Sequence, residues 1–444
     1  MQFQRLVRNV FKKTARPEET IARIKEGFKR LGLDEEFTIA HHFPNAYSTH
    51  MRISDLGVFS NGKGLSEELS VASAYGEMVE RLSAGLQNFE QQPFKQYYGL
   101  DSIIKSRFDT YQYLPGYVCE HEDAIPNAIR VEDLLGHLKH LKKADLEFIR
   151  DESELTRHWV DGYSLLNDRQ VKVPLMLVRW ISATNGLASG NTMEEAILHG
   201  SYECIERYAT IKAVRDKMIF PTIIYDTINV DYLKELMNTL YQSGVEFHIK
   251  EMSMDLSMYI TGVVFINHNV PEDCLEHMSI KVGCASDTEE ALARCFTERL
   301  QGANPVQEGM APTYITPEMK EDYLPIFFKG YSPKPLEMMK LGTQINFERG
   351  DSLNTGTELT LLKSTCESLD TDLIVVDQTH PVLQFPTVRV IMPGISDSMR
   401  YWSEKSLTKE MISNTSKEDN RRDTMVIKLM RSFSEEASNP ASAG

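Results

Sequence analysis

Residues 191–207 read NTMEEAILHGSYECIER. A small-residue loop opens here into a long helix, and at 100° per residue Asn191, Glu195, Glu203 and Glu206 share one side of it, within about 120°. The residues between the acids, Ala196, Gly200 and Ser201, are small enough to let another element approach closely, which would place the carboxylates inside rather than on a solvated face.

The same pattern stands on either side of this stretch. Upstream, Ser60-Asn61-Gly62-Lys63-Gly64 leads through Glu67-Glu68 to Ser73, Glu77, Glu80 and Arg81. Downstream, Gly283 leads through Thr288-Glu289-Glu290-Ala291 to Arg294, Glu298 and Gln301. Glu68, Glu194 and Glu289 precede Glu77, Glu203 and Glu298 by the same nine positions. The chain therefore reads as internally repeated strand-loop-helix units. Ser73, Glu77 and Glu80 span an arc of roughly 60°, as do Arg294, Glu298 and Gln301. One Glu-x-x-Glu alone would be an ordinary exposed helix face, but three at fixed spacing need another explanation.

Buried like charges stay ionised only beside something positive. Hard divalent cations supply that charge, and Mg2+ favours a few carboxylates together with nucleotide phosphates. Arg81, Arg207, Arg294, Lys13 and Lys63 offer charge for phosphate oxygens. Gly57 to Gly64 nearly spells a phosphate-binding loop, yet position 64 is Gly, where the motif requires a hydroxyl.

Composition bounds the rest. The 444 residues suffice for two or three domains or one large α/β unit, and 41% hydrophobic with 25% charged residues suits a soluble globular protein. Net charge is −16, from 48 Lys and Arg against 64 Asp and Glu, which disfavours nucleic acid as a partner. Six cysteines without a Cys-x-x-Cys pair read as reduced thiols, in keeping with a cytoplasmic protein. The longest apolar run, Tyr259 to Ile266, falls far short of the roughly 18 residues of a membrane span.

The first sixteen residues read as a basic amphipathic helix, and residues 18 to 31 as a second one, stopped at Gly32. Strands are expected at Ala46 to Phe59, Val171 to Ile181, Tyr259 to Asn267, Asp372 to Gln378 and Val388 to Met392, with a helix at Tyr232 to Ser243. The class is mixed α/β, or α+β.

The three-part constellation resembles the YcaO family, ATP-dependent enzymes that activate backbone amides of peptides or proteins. The family pattern, Ser-x-x-x-Glu-x-x-Glu-Arg, then Asn-x-x-x-Glu with Glu-x-x-Glu-Arg after seven residues, then Glu-x-x-Gln, is complete and in order. Lys13 and Thr20, Asp377 and the run Val388 to Gly394 extend the likeness over residues 12 to 400. It looks closest to the stand-alone bacterial type and to relatives that act with TfuA-type partners.

The resemblance implies a YcaO-like ATP-binding fold with Mg2+ held by Glu77, Glu80, Glu203, Glu206 and Glu298. It implies that Lys13, Thr20, Ser73, Asn191, Glu195, Arg207, Arg294 and Gln301 face the nucleotide. The chain is expected to divide into an N-terminal basic and amphipathic helical segment, 1–45, a YcaO-type ATP- and Mg-binding catalytic domain, 46–400, and a polar C-terminal helix with a frayed tail, 401–444. The chain ends Pro440-Ala-Ser-Ala-Gly444 rather than in the Pro-x-Pro-x-Pro of azoline-forming members, which favours thioamidation or a methylthiolation-accessory role over azoline formation. A peptide or protein substrate, a TfuA-like or leader-binding partner subunit and a homodimer are expected. The rival readings are a non-catalytic ATP-binding accessory protein and a metal-dependent hydrolase.

Overall fold

The computed structural model describes residues 13–85, 114–135, 137, 141–151, 154–300, 312–317, 319, 330–350 and 355–396. The basic helix expected before residue 13, Gln301 and the tail 401–444 lie outside them. In chain order the elements are α1 (Pro17–Leu31), β1 (Glu36–Phe43), β2 (Ala46–Ile53), β3 (Val58–Gly64), α2 (Glu67–Ser83), β4 (Val118–Cys119), α3 (Val131–Leu135), α4 (Lys143–Asp151), β5 (His158–Ser164), β6 (Arg169–Pro174), α5 (Leu175–Ser182), β7 (Leu187–Ser189) and α6 (Met193–Arg215). They continue with β8 (Thr222–Ile223), α7 (Asp231–Gln242), β9 (Val245–Glu251), β10 (Tyr259–Asn267), β11 (Met278–Ala285), α8 (Thr288–Leu300), β12 (Gln344–Ile345), α9 (Thr355–Ser368), β13 (Ile374–Asp377) and β14 (Thr387–Ile391).

Helix α1 shows how local sequence sets an element. Pro17 takes a first-turn position that needs no N–H, Glu18 and Glu19 face the positive helix end, and Lys29 and Arg30 the negative one. Ile24, Phe28 and Leu31 form its buried stripe, and Gly32, at φ 64°, ends it in the left-handed region.

Three sequence expectations are corrected. Ala46 to Phe59 is not one strand: the chain turns through Ser54–Leu56 and Gly57, φ 60°, so that β2 and β3 pair antiparallel. Val171 to Ile181 is strand only as far as Pro174 and then becomes α5. Leu175, Leu177, Val178 and Ile181 are all buried, and an apolar run this short does not by itself separate helix from strand. Residues 36–43, within the segment expected to be helical, form β1 and pair with β2.

Three sheets result: β1-β2-β3, then β11-β10-β9-β8-β12, then β4-β5-β13-β14-β7 with β6 on β5. Among the described strands β8 and β12 pair in parallel, and Ala128 makes a single parallel bridge to Lys172 of β6. Helix α2 packs on β3 and β2, α8 on β11 and β10, and α6 on β14, β7 and β11. The N-terminal end of α6 needs a close approach at Gly190, where a Cβ would stand 2.5 Å from the Ala196 nitrogen. This arrangement brings the acid-bearing faces of α2, α6 and α8 toward one another.

Candidate active site

The carboxylates of α2 and α6 fasten the helices to strand backbones. Glu77 accepts from the Asn61 N–H of β3 at 3.0 Å, and Glu80, three residues on, from the Ser189 N–H of β7 at 2.9 Å. On α6, Glu203 accepts from the Gly186 N–H at 3.0 Å and Glu206 from the Cys284 N–H of β11 at 2.9 Å. In each pair the first acid holds the strand or loop that precedes its own helix, and the second reaches the next strand-helix unit along the chain. Glu298 of α8 then pairs with Lys63 of β3 and closes the circuit.

Cations stand among these acids. Arg81 donates to Glu77 at 2.7 and 3.1 Å, Arg294 to Glu206 at 2.8 and 2.9 Å, and Arg207 lies 3.8 Å from Glu203. Ser73 sits one turn before Glu77 on the same side of α2.

A second group forms where α1 meets the start of α6. Thr20 Oγ1 donates to Asn191 Oδ1 at 2.7 Å, and Arg23 donates to the Asn191 carbonyl at 2.8 Å. Glu195 accepts from the backbone N–H of Asn191 at 3.0 Å, from its Nδ2 at 3.1 Å and from the Thr14 N–H. Burial pushes the Glu195 carboxyl up, but Lys13 and these donors outweigh it and hold the group below its ordinary range. Glu195, His199, Glu203 and Glu206 make one stripe along α6, about 16 Å from first to last, so the two groups are the ends of one elongated site.

The electrostatics between those ends are strained. Burial, then the neighbouring Glu77, pushes Glu80 up to about 8. Burial also raises Glu203, against the pull of Arg207. On the cationic side, burial and Arg294 bring Lys63 down to about 8. Among the described residues no three acids, histidines or cysteines stand close enough together to form a ready cation cage. The all-oxygen donor set, and two glutamates whose burial disfavours the charged form, nevertheless fit Mg2+.

Of the residues given metal or nucleotide roles, every one except Gln301 is described; each but Ser73 meets another charged or polar group of this elongated site, and Ser73 is placed only by its position on α2. Three further groups belong to it. His199 lies between the ends, and burial together with Arg294, Lys13 and Lys63 drives its pKa well below the ordinary value, so it is neutral at pH 7. Glu290, pushed up to about 7 by burial, feels Arg294 and Lys13. Ser189 supplies two donors to Glu80. The i, i+4 spacing of His199 from both Glu195 and Glu203 is the signal that could have found it.

The sequence matches the family described as YcaO cyclodehydratase, ATP- and Mg2+-binding, over residues 61–396. A Haemophilus influenzae protein is 26% identical over 397 residues, 87% of this chain and 65% of its own length. The Escherichia coli ribosomal protein S12 methylthiotransferase accessory factor YcaO is 26% identical over 408 residues, 87% of this chain and 66% of its own length. This chain thus spans just under two thirds of these relatives. The structure of YcaO from Methanopyrus kandleri bound with AMPPCP and Mg2+ shares the fold, with a TM-score of 0.57, 19% identity, and 86% of this chain and 92% of that one covered.

Proposed function

This chain belongs to the YcaO family and binds ATP and Mg2+, and from that premise we propose that it activates a backbone amide of a peptide or protein for sulfur insertion. The product is a thioamide, or a step that supports methylthiolation. The carrying observation is the meeting of Glu77, Glu80, Glu203, Glu206 and Glu298 with Lys63, Arg207 and Arg294 in one half-buried site. The sulfur chemistry is favoured by the likeness to an accessory factor of a methylthiotransferase.

An amide oxygen is a poor leaving group. A hydrosulfide-class nucleophile adds to the substrate carbonyl carbon, and the resulting oxyanion takes the γ-phosphoryl of ATP as the bond to the bridging oxygen breaks and ADP departs. The carbon–oxygen bond then breaks, phosphate leaves with the electron pair, the sulfur loses its proton and a thioamide C=S remains. The five glutamates would hold Mg2+, which when bound neutralises polyphosphate charge. Lys63, Arg207 and Arg294 stabilise charge on the transferring group. Lys13, Thr20, Ser73, Asn191, Glu195 and Gln301 position the nucleotide. A partner subunit of the TfuA-like or leader-binding kind presents the substrate.

An oxygen-labelled amide tests the shared step. The label is expected in released phosphate, and label retained in the peptide or lost only to water sinks amide phosphorylation. Product mass separates thioamide, an exchange of oxygen for sulfur, from azoline, a loss of one water.

A further inference from the structure

Strand β11 turns Ser279, Lys281 and Gly283 toward α8 on alternate positions. At one end of that groove Gly283 fits beneath the helix, where a Cβ would stand 2.2 Å from the Ala291 carbonyl oxygen and 3.0 Å from Arg294 Cβ. At the other end lies Arg299, about 7 to 8 Å further along the helix axis than Arg294. Arg299 is 4% exposed, and its Nε has no hydrogen-bond partner.

What surrounds Arg299 is aromatic. Its guanidinium carbon is 5.9 Å from the centroids of both Phe265 and Tyr331. Phe265 stands opposite Ser279 in the β10–β11 register, and Tyr331 bridges Ser279 from the other edge. Ser279 therefore shares both of Arg299's neighbours. It is 1% exposed, and its Oγ also lacks a hydrogen-bond partner. Glu276, the acid whose field reaches Arg299, gives its two oxygens to Thr313, to the N–H at 2.9 Å and to the hydroxyl at 2.7 Å.

Between the ends sits Lys281, its stem against Gly330; burial, then Arg299, Lys63 and Arg207, bring its pKa down to about 7, so an added anion would favour its charged form. A buried guanidinium Nε and a buried hydroxyl without hydrogen-bond partners cost more than two ring faces return. A row of cations that starts at the polyphosphate end and finishes on those open donors is suited to a small multivalent oxyanion.

We propose that Arg299, Lys281 and Ser279 form an oxyanion site beside the nucleotide site, and that its occupant is the inorganic phosphate released from the activated amide. The choice of occupant rests on the phosphoryl-transfer reading above. Phosphate is preferred to a substrate carboxylate because the cation row is continuous with Lys63 and Arg207, and because three separate donor groups suit an anion with more than two oxygens.

The test titrates inorganic phosphate into the full chain with Mg-ADP present, and a non-hydrolysable ATP analogue with Mg2+ into the same proteins. Phosphate affinity is expected to fall tenfold or more in R299M and three- to fivefold in S279A, while analogue affinity stays within twofold. Unchanged phosphate affinity in both variants overturns the site, and acetate competing as well as phosphate overturns the occupant. If R299M does not fold, S279A decides alone by the same criterion. A wild-type chain that binds phosphate through these residues but no nucleotide analogue removes the proposed function and leaves the oxyanion site standing.

Discussion

Glu80 of α2 accepts two hydrogen bonds from Ser189 of β7, from the backbone N–H at 2.9 Å and from Oγ at 3.1 Å. One carboxylate therefore fixes the spacing of two helix-bearing units, and beside a bound cation it would carry its charge into the shared site. In E80Q an oxygen remains for Ser189, but the charge is gone. The variant should melt near wild type, bind the Mg-ATP analogue at least tenfold more weakly and turn over ATP about a hundredfold more slowly, the usual scale for a lost electrostatic group. Calorimetry and phosphate release measure both, and wild-type Mg2+ dependence in E80Q would remove Glu80 from the metal set.

The contact between Thr20 and Asn191 joins α1 to the start of α6. T20V removes one half-buried hydrogen bond, so unfolding free energy should fall by about 1 kcal/mol. Because the same contact orients Asn191, which donates to Glu195, nucleotide affinity should fall fivefold or more while maximal turnover changes little. A loss of stability with unchanged affinity would make the contact structural only.

The acids were legible in the sequence because helical spacing fixes which side chains share a face. Which backbone each acid would grip was not: the reach of Glu80 to Ser189 and of Glu206 to Cys284 depends on how separate strand-helix units pack, and no local pattern encodes that. The Leu175 to Ile181 helix is not legible for a different reason, since so short an apolar run fits a buried strand as well as a helix. The lowered pKa of His199 is not legible in the sequence, because the cations that help to cause it, Lys13, Lys63 and Arg294, are distant in the chain.

Gly190 lies just before α6, and a Cβ there would fall 2.5 Å from the Ala196 nitrogen and 2.8 Å from Glu195 Cβ. Backbone cannot yield as a flexible side chain can, so G190A should cost about 1 to 3 kcal/mol, the range for overpacking. The displaced atoms carry Glu195, so nucleotide affinity should drop as well. Chemical denaturation and analogue binding give the two readings, and a G190A protein as stable as wild type would mean that α6 starts elsewhere.

Lys250 offers a pH test away from the site. It is fully buried on β9, with Nζ donating to Thr222 Oγ1 at 2.8 Å and to the Lys340 carbonyl at 2.5 Å. Burial brings its pKa from 10.5 down to about 8. Below pH 8 the ammonium is charged in both folded and unfolded chains, and stability does not depend on its titration. Between 8 and 10.5 the unfolded chain holds the proton and the folded one does not, so stability rises with pH. By pH 10 the gain is on the order of 2 to 3 kcal/mol at 1.36 kcal/mol per unit. K250M lacks this titration, and subtracting its unfolding free energy from that of the wild type cancels the other groups. That difference should shift toward the wild type by this amount between pH 7 and 10 in urea titrations, and a flat difference would show that Lys250 keeps its charge inside the fold.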